Sequence, residues 1–204
     1  MQTTYKATHT TTQGNMKNIA VFASGNGSNC ENIIRHFSTH TDIGVSVVVC
    51  NRKEARVIDR AKALGINTVV LTRTDFQQPR TVLSILEQHN VSFIILAGFL
   101  LMVPEYLVNA YPDRILNIHP SLLPKYGGKG MYGQHVHDAV YANREKETGI
   151  TIHLVNNECD GGQVIAQYST PLTPDDTPQS IALKVHELEM NHFPAVIEQY
   201  LGRF

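Results

Sequence analysis

The sequence has no large excess of charge of one sign and no long apolar run. Its 17 basic and 18 acidic residues leave a formal net charge of −1, and no basic run exceeds two residues. Because a polyanion-binding surface normally contains a basic cluster, neither nucleic acid nor an anionic membrane is expected as a partner. No stretch approaches the ~18 apolar residues that a membrane-spanning helix requires. We therefore expect a soluble protein without membrane contact.

Cysteine is also scarce. The three cysteines, Cys30, Cys50 and Cys159, are odd in number and lie in three different apolar contexts. A disulfide framework needs paired cysteines, so this pattern favours reduced thiols. We expect a cytoplasmic protein in which the cysteines are small core residues.

The N-terminal segment lacks the features of a targeting signal. Residues 1–16, MQTTYKATHTTTQGNM, have neither an apolar core nor an amphipathic basic pattern. This composition predicts a disordered extension. The rest, 17–204, is long enough for a single domain with a proper core, since the chain is 42% hydrophobic.

Seven β-branched apolar segments alternate with helical patterns in most of the chain. They are NIAVFAS, VSVVVCN, INTVVLT, VSFIILAG, RILNIHPS, GITIHLV and VIAQYST. The first four are continuously apolar, as parallel strands covered on both faces are. Strand and helix alternate, which predicts βαβ units and an α/β fold with a mostly parallel sheet. The last two segments are expected to pair around CDGG.

Helix signals occur at defined positions. Val57, Ile58, Ala61 and Leu64 form an apolar stripe that ends at Gly65, a suitable residue for a helix C-terminus. A second helix is expected to start near Pro79. Thr177 and Pro178 predict the start of the C-terminal helix, and Pro194 is expected to kink or divide it.

A glycine-rich turn, SGNGSN, follows the first predicted strand and precedes the first helix. Such a turn presents backbone N–H groups at a helix N-terminus, which favours phosphate binding. The dinucleotide fingerprint fails because its third glycine would fall at Cys30, and Asn51-Arg52 stand where an acid would bind ribose. The phosphate of a mononucleotide-like substrate is favoured over a purely structural turn and over a dinucleotide.

A second group of polar residues lies near NIHPSLLP. Asn117 and His119 are two residues apart at the end of a predicted strand, so they face the same side, and Pro120 stops the strand. Asp160 precedes two glycines and can reach a histidine on a neighbouring strand. An oriented imidazole beside an amide donor is a minimal acyl-transfer site. The alternatives are a structural polar pair and a turn-forming aspartate.

Other catalytic chemistries have weaker support. There is no G-x-S-x-G motif and Ser121 shows no sign of activation, so direct attack by a bound amine is favoured over a covalent intermediate. His135 and His137 are two apart, but no third ligand has convincing spacing. No metal is expected.

Five motifs together resemble a known family. SGNGSN, LAGFLLMVP, NIHPSLLPKYGG, GITIHLV and CDGGQVI, in this order and spacing, resemble the folate-dependent formyltransferases and, within them, the phosphoribosylglycinamide enzymes of purine synthesis. The resemblance covers about residues 17–201. It implies a Rossmann-like three-layer formyltransferase fold in a single domain, with phosphate bound by its N-terminal half and folate by its C-terminal half. It also implies transfer of the formyl group of 10-formyltetrahydrofolate to the amine of 5'-phosphoribosylglycinamide.

The resemblance also implies residue roles. Asn117 would stabilise the oxyanion, His119 would transfer protons and Asp160 would hold His119. The substrate phosphate and ribose would be bound by Gly25, Asn26, Gly27, Ser28, Asn29, Glu189 and His186. The pterin would be bound by Leu100, Leu101, Met102, Val103, Val155, Asn156, Asn157, Glu158, Cys159 and the backbone of Asp160. The alternatives are a solvated helix residue for Glu189 and core packing for the apolar residues.

Two features depart from the family pattern. Leu101 stands where well-known members carry arginine, and the loop KYGGKGMYGQ, 125–134, is longer and richer in glycine. The loop is expected to be either a mobile flap or without function.

A formyltetrahydrofolate hydrolase is disfavoured because its relatives carry an extra N-terminal domain, for which this sequence has no room. A non-catalytic nucleotide-binding module is the other rival, and a monomer or homodimer is expected.

Overall fold

The computed structural model describes residues 16–204, so the extension predicted over 1–16 lies, apart from Met16, outside the described residues. The strands are β1 Lys17–Ala23, β2 Ile43–Cys50, β3 Asn67–Val70, β4 Val91–Leu96, β5 Ile115–His119, β6 Glu147–Leu154 and β7 Val164–Pro171. The α-helices are α1 Ser28–Phe37, α2 Arg56–Ala63, α3 Pro79–Gln88, α4 Glu105–Ala110, α5 Gln134–Ala142 and α6 Pro178–Leu201, and a short 3₁₀ helix spans Asp75–Gln77.

The seven strands form one sheet in the order β3-β2-β1-β4-β5-β6-β7. The first five strands pair in parallel, whereas β5 with β6 and β6 with β7 pair antiparallel. The predicted mostly parallel sheet is therefore confirmed, as is the pairing of the last two strands. Successive strands are added on one side of β1 up to β3 and on its other side from β4 onwards, so the strand order switches between β1 and β4. Ligands of such sheets bind at the carboxyl ends of the strands beside this switch point.

Helices cover both faces of the sheet, which gives the predicted three layers. Within β1, Ile19 and Val21 pack in a cluster with residues of α1, α2 and α6. The alternate residues, Ala20 and Phe22, pack in a second cluster with residues of α3 and α4. This alternation follows from the two-residue period of a strand. All four side chains are fully buried.

The predicted helix signals are confirmed at three positions. Gly65 follows α2 with a φ of 74°, the left-handed conformation expected there. Pro79 is the first residue of α3, and Thr177 caps α6 by accepting from the Ser180 N–H. Helix α4 was not predicted, because its six residues are too few to show a clear period.

Pro194 does not divide the last helix. Helix α6 continues through it to Leu201, so the division offered as one outcome was wrong. Proline lacks the N–H that would bond to the carbonyl four residues earlier, which is that of Met190. The Asn32 side chain, on α1, donates to this carbonyl oxygen at 2.8 Å instead. The oxygen is therefore satisfied and the helix persists.

No helix among residues 16–204 is both long and apolar enough to cross a membrane.

Candidate active site

The glycine-rich turn leads directly from β1 into α1. Gly27 precedes the first residue of α1 and has a φ of 80°. A Cβ atom on Gly27 would lie 2.6 Å from Cβ of Val57, so the turn can pack on α2 only with glycine here. The first N–H groups of a helix have no partner within it and favour an anion. The start of α1 therefore suits a phosphate.

Arg60 lies beside this turn and was missed by the sequence reasoning. Its guanidinium contacts Asn26 Oδ1 at 3.3 Å and forms an ion pair with Glu31 on α1. Hydrogen bonds from Arg35 and Arg60 lower the pKa of Glu31. Arg60 follows Asn26 by 34 residues, so no local pattern could have associated them.

Glu189 on α6 lies beside the N-terminal end of α1, where it contacts Asn29. Its Oε2 accepts from Asn29 Nδ2 at 2.8 Å and lies 3.3 Å from His186 Nδ1. The hydrogen bond to Glu189 raises the pKa of His186. His186 and Glu189, both implied by the resemblance to bind the substrate, are in contact, and together with Asn29 they form a polar group beside the phosphate turn.

Asn117 faces a histidine that the sequence reasoning did not single out. It pairs with His153 across β5 and β6, and its Nδ2 lies 3.0 Å from His153 Nε2. His153 Nδ1 lies 2.8 Å from the carbonyl oxygen of Leu154. Because an amide N–H only donates and a carbonyl only accepts, His153 carries its proton on Nδ1. Burial lowers its pKa, so it stays neutral. The signal for it was an ionisable residue within the strand segment GITIHLV.

His119 and Asp160 come together as predicted. His119 ends β5 and is 4% exposed, and its Nδ1 lies 3.6 Å from Asp160 Oδ2. His119 Nε2 donates to the carbonyl oxygen of Tyr126 at 2.8 Å. Because that carbonyl only accepts, the neutral imidazole carries its proton on Nε2. The other ring nitrogen, Nδ1, therefore carries the lone pair, and it lies beside the Asp160 carboxylate.

The glycine-rich loop, 125–134, covers this pair. Besides the contact of Tyr126 with His119, the Gly128 N–H donates to Asp160 Oδ2 at 2.8 Å. The Tyr126 hydroxyl donates to Glu145 Oε1 at 2.8 Å. The loop thus contacts both His119 and Asp160 through its backbone. Whether it moves as a flap stays a prediction.

The CDGG turn places Asp160 by a close backbone approach. Asp160 itself has a φ of 55°, a conformation that Asp and Asn adopt more easily than most residues. A Cβ atom on Gly162 would lie 1.7 Å from the carbonyl oxygen of Leu154, which only glycine avoids. Cys159 is exposed, so the expectation that it is a core residue was wrong, whereas Cys30 and Cys50 are buried. Partial desolvation, followed by the nearby Asp160, raises the pKa of Cys159, and this disfavours a thiolate there.

The segment after β4 presents apolar side chains. Leu100 and Met102 are 42% and 59% exposed, whereas Leu101 is half-buried and packs on the core. The Leu100 N–H donates to Ser24 Oγ at 2.8 Å, which joins this segment to the phosphate turn. Exposed apolar side chains at a cleft are suited to a flat aromatic or heterocyclic ligand.

These groups line one cleft of about 950 Å³. Of the residues predicted for the site, Asn157 alone does not line it. The cleft also includes His153 and Arg73, which the sequence reasoning missed. His137, weighed only as a metal ligand, lines it too. His137 is 7% exposed, and its Nδ1 has no hydrogen-bond partner in the described chain.

Comparison with known proteins shows the family. A family model described as formyl transferase matches residues 17–197. The chain belongs to the formyl transferase family. The phosphoribosylglycinamide formyltransferase of Bacillus subtilis is 36% identical over 192 residues, covering 92% of this chain and 96% of that protein. The chloroplastic enzyme of that name from Arabidopsis thaliana is 38% identical over 90% of this chain, which spans 66% of that protein.

A solved structure agrees with both sequence comparisons. The crystal structure of phosphoribosylglycinamide formyltransferase from Streptococcus pneumoniae superposes with a TM-score of 0.81 at 33% identity, over 91% of this chain and 99% of that one. The fold and family expected from the motifs are thereby confirmed. In this formyl transferase, the glycine-rich turn, the polar group of Asn117, His119 and Asp160, and an exposed apolar segment share one cleft.

Proposed function

We propose that this protein transfers the formyl group of 10-formyltetrahydrofolate to the amine of 5'-phosphoribosylglycinamide, the formyl-transfer step of de novo purine synthesis. The observation that carries the proposal is the opening of the α1 phosphate turn into the same cleft as Asn117, His119 and Asp160. A hydrolase of formylated folate needs no anion site for a second substrate. The turn therefore favours transfer to a phosphorylated acceptor.

The acceptor binds at the start of α1. Its phosphate accepts from the N–H groups of the turn 25–29, where the helix dipole also favours negative charge. Glu189 accepts from the ribose hydroxyls, since Asn29 and His186 contact its Oε2 and leave Oε1 available. The amine at the other end of this substrate then lies towards Asn117 and His119.

The donor binds against the apolar segment. Leu100, Met102 and Val155 contact the pterin, while the backbone of 156–160 binds its polar edge. Leu101 packs into the core, so the pterin is held here without the arginine that stands at this position in other members. Arg73 and Lys129 also line the cleft, and both are able to bind carboxylates of the folate tail.

The chemical step is a direct attack of the neutral amine on the formyl carbon. An α-amino group titrates near pH 8, so a useful fraction is neutral at physiological pH. Asn117 donates its second amide hydrogen to the oxyanion of the tetrahedral intermediate. The amine proton passes to His119 Nδ1, directly or through one water, and the resulting imidazolium is stabilised by Asp160. The proton then goes to the departing folate nitrogen as its bond to carbon breaks.

The direct test is a spectrophotometric assay of the purified protein with 10-formyltetrahydrofolate, with and without phosphoribosylglycinamide. Deformylated folate that forms only with the amine present supports the transferase. Product without the amine identifies a hydrolase, and no product in either reaction identifies a binding module. The His119→Asn variant is the control, because it is expected to abolish turnover while substrate binding persists.

The protein is proposed to act in the cytoplasm. Cys30, Cys50 and Cys159 are all free thiols in the described structure, which favours a reducing compartment. The expectation of a monomer or a homodimer stays a prediction. Analytical ultracentrifugation would measure the oligomeric state.

A further inference from the structure

A cluster of two histidines and a glutamate lies outside the active-site cleft. His36 is in the last turn of α1, His40 follows three residues after that helix, and Glu198 lies near the end of α6. Their potential ligand atoms all lie within 4.8 Å of one another. The side chains are 31%, 24% and 44% exposed, so the cluster is reachable from solvent but partly shielded.

The geometry of the cluster is close to that of a metal site. His36 Nε2 lies 2.7 Å and His40 Nε2 lies 3.8 Å from the same oxygen, Glu198 Oε2. Two ligand atoms bound to one tetrahedral zinc ion at 2.0–2.1 Å are about 3.4 Å apart. Each of these two distances therefore differs from the metal-bound value by less than about 1 Å. The two imidazole rings are stacked, with centroids 5.4 Å apart.

The donor types select the class of ion. Two imidazole nitrogens and one carboxylate oxygen suit zinc, nickel or copper rather than magnesium or calcium, which prefer oxygen ligands. Asp42 lines the same surface cleft as His40 and Glu198 and adds a second carboxylate beside the cluster. A fourth position remains for water or for this carboxylate.

The cluster joins two helices that also meet at the substrate site. Asn29 contacts Glu189 at one end of the α1–α6 pair, Asn32 contacts Met190 next, and His36 contacts Glu198. Glu198 follows Glu189 by nine residues on α6, which corresponds to about 13.5 Å along a helix. An ion held by His36, His40 and Glu198 would therefore clamp the helices at the end far from the acceptor.

We propose that His36, His40 and Glu198 form a binding site for a divalent transition-metal ion of the zinc class, which holds α1 against α6. The site is separate from the formyl-transfer machinery and does not depend on the proposed function. From the sequence, His135 and His137 were the only metal ligands considered, and no metal was expected. Glu198 is 162 residues from His36, so no spacing motif indicated this site.

The test is isothermal titration of the full chain with zinc chloride. His40→Ala is the informative variant, because it removes one imidazole and leaves the hydrogen bond of His36 to Glu198. His89→Ala is the matched control, since His89 is also a half-buried histidine at a helix C-terminus. Removal of a ligand is expected to weaken zinc binding at least about tenfold, whereas His89→Ala binds like the parent.

Thermal unfolding gives a second readout. At a hundredfold excess of zinc over its dissociation constant, the parent midpoint is expected to rise by about 5–10 °C, and the midpoint of His40→Ala by much less. Glu198→Gln, which keeps a hydrogen-bonding group, decides the question if His40→Ala does not fold. A parent protein that binds no zinc, or variants that bind it as tightly as the parent, would overturn the proposal.

Discussion

The Asn117 side chain donates to Nε2 of His153 across strands β5 and β6, at a distance of 3.0 Å. His153 is in turn held by the carbonyl oxygen of Leu154. One amide hydrogen of Asn117 is used in this contact, and the other is available to a ligand in the cleft. The neutral histidine therefore fixes the orientation of the amide.

Replacing Asn117 by alanine is expected to lower kcat by about 100- to 1,000-fold, as the loss of an oxyanion donor does. The KM for phosphoribosylglycinamide should change little, because the lost contact forms mainly in the transition state. Steady-state kinetics measure both constants. Asn143→Ala, at the exposed end of α5, is the control and should behave like the parent. A kcat for Asn117→Ala near that of the parent would refute the assigned role.

The Asp160→Asn variant separates charge from structure. Asparagine tolerates the φ of 55° at this position, and its side-chain oxygen can still accept from the Gly128 N–H. The fold should therefore be kept, as thermal unfolding would show. Without the carboxylate, the imidazolium of His119 loses its stabilising charge, and kcat is expected to fall at least about tenfold. Unchanged turnover would exclude Asp160 from the proton transfer.

The phosphate turn offers a matched pair of glycines. Gly27→Ala should be destabilising and should raise the KM for phosphoribosylglycinamide, because its Cβ would overlap Val57 and its φ is 80°. A Cβ atom on Gly25 would have no neighbour within 4 Å, so Gly25→Ala should keep the stability of the parent. Urea denaturation and KM measurement test both. Equal stability of the two variants would contradict the packing described for Gly27.

The burial of His137 is expected to make the stability of the protein depend on pH. Burial lowers its pKa, so the folded protein binds a proton at His137 less readily than the unfolded chain, whose imidazole titrates near pH 6.5. The unfolded state then binds more protons, and the free energy of unfolding falls as the pH falls below this value. His137→Met should flatten this fall by at most about 1.4 kcal/mol per pH unit.

Urea denaturation between pH 7 and pH 5 measures the effect of His137. His135→Met is the control, since His135 is an exposed residue of the same helix. Parallel pH profiles for the parent and His137→Met would show that the burial of this imidazole has no energetic consequence.

Asn32 and Pro194 are expected to be coupled. Asn32→Ala removes the donor to the Met190 carbonyl and should cost about 1–3 kcal/mol, because that oxygen is left without a partner. In the Pro194→Ala background a backbone N–H becomes available to the same oxygen, so the cost should be smaller. A double-mutant cycle by urea denaturation measures the difference. Additive effects would mean that the two residues act independently.

Much of the fold was predictable because its signals are local. The apolar strands, the glycine after α2, the proline that begins α3 and the threonine that caps α6 each depend on residues within one or two turns. The short helix α4 was missed, and Pro194 did not divide α6, because a distant side chain replaced the missing donor. Local propensity describes what a segment prefers, and tertiary contacts can override it.

The candidate site divides in the same way. The glycine turn, the pair Asn117 and His119, and the two glycines that place Asp160 could be recognised from the sequence, since each is a short motif with its own geometry. Three contacts became visible only in the folded chain: His153 orients Asn117, Arg60 lies beside Asn26, and Glu198 contacts His36 and His40. These partners are 36, 34 and 162 residues apart. Such pairs meet only when strands pair and helices pack, which no local pattern records.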